Sequence, residues 1–92
     1  MQAQLDTVYD FVISGEARVW PTVSVTGGTV NMHLSNKPNR PANAAAMEVL
    51  DSGSPLGDGS VNTIVGDVRW ICFAAASGSP TVYVRGAELE TE

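Results

Sequence analysis

Apolar and polar residues alternate along most of the chain, the period-2 pattern of strands that bury one face, and helical periodicity is almost absent. In residues 7–13, Tyr9, Phe11 and Ile13 fall on one face and Val8, Asp10 and Val12 on the other. Ser14-Gly15-Glu16 reads as a turn. In residues 17–26, Val19, Val23 and Val25 share a face with Pro21, which removes a ladder donor and places this strand at an edge or starts it after the proline. Gly27-Gly28 between two alternating runs predicts a two-residue hairpin of type I′, whose central positions both need φ > 0. The returning strand turns Val30, Met32 and Leu34 inward and Asn31 and His33 outward.

Two prolines and three asparagines make residues 36–43 a surface loop. Residues 44–51 are open to two readings, a helical turn capped by Asn43 or a strand at residues 47–50, with the strand favoured. A Gly/Ser/Pro/Asp loop at 51–60 precedes strand-like runs at 61–65, 68–76 and 81–86. The last two are joined by a hairpin at Ser77-Gly78-Ser79-Pro80. Residues 68–76 are apolar on both faces, as in a central strand covered on both sides. The acidic stretch 88–92 reads as a solvated tail. The expectation is an all-β fold, a single β-sandwich or small jelly-roll-like barrel of about six to eight short, mostly antiparallel strands. It spans residues 1–92 as one domain, with flexible ends at 1–5 and 88–92.

Length agrees, since 92 residues with 43% hydrophobic content hold one core and no more. No run approaches the ~18 apolar residues of a membrane helix, and the first six residues lack the basic start and apolar stretch of a signal peptide. A cytosolic origin with no membrane partner is the expectation. Ten carboxylates against five Lys and Arg leave a net charge of −5, a field that repels phosphate backbones, so no nucleic-acid partner is expected. Only 16% of residues are charged, against about 25–35% on a free surface. Such a chain suits life packed against neighbours.

The chemical candidates are few. His33, the one histidine, lies on a polar strand face with no carboxylate or cysteine at metal-ligand spacing. Cys72, the one cysteine, lies in an apolar strand, where a buried structural thiol is expected and no internal disulfide is possible. Asp51 and Asp58 lack the acidic ladder of a calcium loop, and Gly57-Asp58-Gly59-Ser60 has no following Lys to make a phosphate loop. No catalytic set, cofactor or metal is expected. Among the aromatic residues, Trp70 is flanked by core-like residues, whereas Trp20 precedes a proline and alternates with Arg18 and Thr22. Trp20 and Tyr83 keep a sugar-stacking site open beside a protein interface.

The run 29–36 (x-V-x-M-x-L-S-N) after Gly-Gly, a Pro/Asn loop, G-D-V-R-W-I-C at 66–72 and S-G-S-P-T-V-Y-V-R-G at 77–86 resemble small β-sandwich proteins of tailed-bacteriophage virions. The resemblance runs from about residue 19 to residue 86. Where those proteins carry a D-G-x-x-W turn, this chain has Lys37-Pro38-Asn39-Arg40-Pro41. The resemblance implies a non-enzymatic structural protein, made in the host cytoplasm and carried in the virion. Capsid decoration (a cement protein on the assembled head) is its first reading and a head-tail or tail component its second. A carbohydrate- or receptor-binding module is the alternative from another class. The implied partners are a major capsid or tail protein and further copies of the chain, a trimer among the options. Arg18, Trp20, Lys37 and Arg40 are the candidate interface residues: Trp20 as an anchor, the two arginines facing carboxylates of a neighbouring copy, and loop 36–43 reaching a second contact.

Overall fold

The computed structural model describes residues 1–13, 21–64 and 68–91. Among them the chain forms strands β1 (Gln2–Ala3), β2 (Tyr9–Ile13), β3 (Thr22–Ser35), β4 (Val49–Leu50), β5 (Val61–Thr63), β6 (Trp70–Arg85) and β7 (Ala87–Glu90), with a 3₁₀ turn at Ala44–Ala46. Every pairing between them is antiparallel, and together they make one seven-stranded sheet. The class is all-β, in a small sandwich-like or barrel-like form. Residues 17–20 of the expected second strand, Val65 at the end of the expected 61–65 run and the turn at 14–16 lie outside the described residues. The described strand begins at Thr22, directly after Pro21.

β3 and β6 are the spine, paired along their whole length from Thr22 opposite Arg85 to Ser35 opposite Trp70. This corrects both expected hairpins. Gly27-Gly28 and Ser77-Gly78-Ser79-Pro80 are not chain reversals; they lie opposite each other in the middle of the two strands, with Gly28 paired to Gly78. Glycine serves a bulge for the same reasons it serves a turn. Gly27 and Gly78 hold φ of +84° and +68°, and a Cβ on Gly28 would come within 2.3 Å of the Ser77 carbonyl oxygen. The register shifts between Thr26 and Gly28 and again between Thr29 and Val30, so the inward positions change parity. Val23 and Val25 are buried before the glycines, Val30 and Met32 after them; on β6, Ile71 and Phe73 give way to Val82 and Val84.

The irregular centre divides the sheet into two wings. One holds β5, the first half of β3, the second half of β6 and β1; the other holds β4, the remaining halves of β3 and β6, β2 and β7. Inward residues of both wings join one core: Val23, Val25, Val82 and Val84 from the first, and Tyr9, Phe11, Met32, Ile71, Phe73 and Leu89 from the second. The wings therefore close on each other as the layers of a sandwich do. The expectation of flexible ends is also corrected, because Gln2 and Ala3 pair with Tyr83 and Val82, and residues 87–90 pair with β2. Ala3 and Leu89 are buried, which binds both ends into the core.

Cys72 is fully buried, and desolvation, aided by the Asp6 carboxylate, pushes its thiol up to about 11. At pH 8 a thiol reagent is expected to modify native Cys72 roughly a hundredfold more slowly than the urea-unfolded chain, because the thiolate is both scarce and shielded. Equal rates in the two states would place the thiol at the surface.

Candidate interaction surface

The outer faces of the two wings differ. On the second wing, the chain after β3 folds back over the first half of β6. Asn43 caps the 3₁₀ turn, its Oδ1 accepting from the Ala46 N–H at 3.0 Å. Of the two readings of residues 44–51, the structure contains both: the capped turn, then the short strand β4. Glu48 pins the segment, one carboxylate oxygen accepting from the Ser35 hydroxyl at 2.8 Å and the Asn36 N–H at 2.9 Å. Those bonds, with the Lys37 charge, hold its carboxyl below the usual carboxylate range. The Lys37 ammonium donates to the Ala46 carbonyl at 3.0 Å, and the Asn36 side chain accepts from the Arg69 N–H at 2.8 Å.

Trp70 is the centre of this cover. It is buried with Val8, Met47 and Cys72 in a second apolar cluster, and its indole N–H donates to the Lys37 carbonyl at 2.8 Å. The guanidiniums of Arg40 and Arg69 each lie 4.8 Å from its ring centroid. Arg40 also donates to the Val8 carbonyl, and Arg69 lies 3.9 Å from the Asp10 carboxylate. Of the four candidate interface residues, the structure thus brings Lys37 and Arg40 together at one indole, where both have bonds within the chain. Arg18 and Trp20 lie outside the described residues. Sequence reading missed Arg69, whose one signal was its place next to Trp70.

The outer face of the first wing has no such cover among the described residues. Register sets Val61, Ser24, Tyr83 and Gln2 in one row across the four strands, and Thr63, Thr22 and Arg85 in the next. Val61 is 68% exposed and Tyr83 54% exposed. An open cleft between the edges of β1 and β7 is lined by Met1, Gln2, Gln4, Tyr9, Leu89, Glu90 and Thr91. The Tyr9 hydroxyl accepts there from the Gln4 N–H at 2.8 Å.

The remaining candidates take structural places. Asp51 accepts from the Gly53 N–H and Asp58 from the Gly27 N–H, both at 2.9 Å, so the 51–60 loop uses its carboxylates to hold backbone. His33 is half-buried on β3 between Cys72 and Leu50. No helix among the described residues is long and apolar enough to cross a membrane. Comparison with known proteins finds no matching family model, no matching curated protein and no matching solved structure.

Proposed function

We propose that the chain is a non-enzymatic structural protein of a tailed-bacteriophage particle, a capsid decoration protein that docks on the assembled head through the bare face of its first wing. The observation that carries this reading is the contrast between the two outer faces. One is covered at its centre by a segment fixed by hydrogen bonds, with Val12, Val49 and Leu50 left exposed on that wing, while the other presents Ser24, Thr22, Thr63, Gln2 and Arg85 with Tyr83 and Val61 standing out of them. Tyrosine is a common anchor of protein interfaces, combining large contact area with little lost freedom. Arg85 is the one charged side chain in these two rows, which limits the cost of desolvation on docking.

Quantitative mass spectrometry of purified virions should find the chain in high, stoichiometric copy. Purified chain should bind assembled heads, and Tyr83→Ser should weaken that binding at least about tenfold, as for an interface anchor worth more than 1 kcal/mol. Absence from virions together with no binding to heads or tails would defeat the reading. A flat polar face with one aromatic residue also fits a sugar ring. Glycan-array binding that Tyr83→Ser abolishes would favour the carbohydrate-binding alternative.

A further inference from the structure

We propose that the free edge of β5 pairs with β5 of a second copy of the chain, antiparallel about a twofold axis at Asn62. The proposal rests on the assembly reading above and names its self-contact. β5 pairs with β3 on one side and with no strand on the other among the described residues. Its register fixes which backbone groups are committed. Asn62 lies opposite Val23, Ser60 accepts from the Val25 N–H at 3.3 Å, and Ile64 donates to the Pro21 carbonyl at 2.8 Å. In an antiparallel ladder the intervening residues face the other way, so the N–H and C=O groups of Val61 and Thr63 point outward. A twofold at Asn62 sets Val61 of each copy against Thr63 of the other and satisfies all of these groups, with four N–H···O=C bonds. On the outer face Val61 then packs beside the neighbouring copy's Thr63, a β-branched pair of the kind that favours strands.

Charge selects a second copy as the occupant and β5 as its place. Each chain carries −5, so copies approach best where carboxylates are absent. From Gly59 to Ile64 there is no charged side chain. The other edges are guarded. β7 exposes Glu88 and Glu90, with Asp10 opposite Glu90, so pairing it with its own copy would set like charges together. β1 and β4 are each only two residues long, so each offers at most one residue whose backbone groups face outward. A basic partner would be drawn to β7; an identical acidic one is left β5. The pairing yields a dimer in place of the trimer considered from the sequence, and it joins the two bare faces into one continuous surface with two Tyr83 anchors.

Sedimentation of the purified chain at tens of micromolar should show a dimer. Val61→Lys, which sets a cation beside each twofold-related strand, should raise its dissociation constant at least about tenfold, while Glu88→Gln leaves it unchanged. Asn62 faces its own mate in a non-hydrogen-bonded pair, where Cα atoms lie about 4.5 Å apart and a disulfide can close. Asn62→Cys in a Cys72→Ala background, checked by circular dichroism for the native fold, should therefore oxidise to a covalent dimer, and Gln2→Cys in the same background should not. A monomer, a trimer, or a dimer indifferent to Val61→Lys would overturn the pairing; the lysine arm keeps the native Cys72 and stands even where the alanine background fails to fold. Binding of a strictly monomeric chain to heads would overturn the pairing and keep the decoration reading, whereas a twofold dimer that ignores particles would do the reverse.

Discussion

Trp70→Ala is expected to lower the unfolding free energy by about 3–5 kcal/mol, the range for deleting a large buried aromatic. A domain of this length has roughly 5–14 kcal/mol in all, so the variant approaches its stability limit. The loss has three parts: the apolar contact with Val8, Met47 and Cys72, the hydrogen bond to the Lys37 carbonyl, and the stacking of two guanidiniums. Trp70→Phe keeps most of the first and third and strands the carbonyl, so it should cost about 1–2 kcal/mol. Urea denaturation gives both values. Limited proteolysis of Trp70→Ala should cut first within residues 36–48, because the indole is what that segment lies on. A loss below about 1 kcal/mol for Trp70→Ala would mean that the cover is held by Glu48 and Asn43 instead.

Gly28→Val should be as severe, at about 3 kcal/mol or more. Its Cβ would lie 2.3 Å from the Ser77 carbonyl oxygen, and backbone cannot yield as a side chain can. Gly57→Ala is the matched control: its Cβ meets only the Ser60 hydroxyl at 3.6 Å, an ordinary contact. Thermal or urea unfolding of the two variants side by side separates a tight strand crossing from a plain turn. A hairpin at Gly27-Gly28 would tolerate Gly28→Asn, which accepts φ > 0. The paired strands seen here would not, because the obstacle is proximity.

Much of the architecture was legible because burial on one side imposes period 2. Tyr9, Phe11, Val23, Val25, Val30 and Met32 all face the core as their alternation predicts, and Cys72 and Trp70 are buried as their apolar neighbours suggest. Pro21 marked the start of β3, and Asn43 marked a cap. What stayed hidden was pairing across distance. Gly27-Gly28 and Ser77–Pro80 carry turn chemistry at each site, and only the other site shows that both are bulges. The ends were misread because Gln2–Ala3 and Ala87–Glu90 are too short or too acidic to signal a strand until β6 and β2 are beside them. Loop 36–43 gave no sign of what it lies on, since Arg40 and Lys37 meet Trp70 through side-chain stacking and a carbonyl, neither of which leaves a spacing pattern.

Because the centre of β3 is a bulge and not a hairpin, the chain has no short-range nucleus there. Even the pair nearest in sequence along the spine, Ser35 with Trp70, closes a loop holding the whole of β4 and β5, and every other β3–β6 pair closes a longer one. The search for that encounter is long and its entropy is spent before contacts accumulate, which places folding among the slow, non-local cases. Once the ribbon has zipped, both wings hang on it, and neither can open without breaking strands the other shares. Opening of the molecule is therefore expected to be all-or-none, and the amides that face one another across the spine, Ser24 and Tyr83 in one wing and His33 and Cys72 in the other, are expected to exchange with solvent only when the entire domain opens.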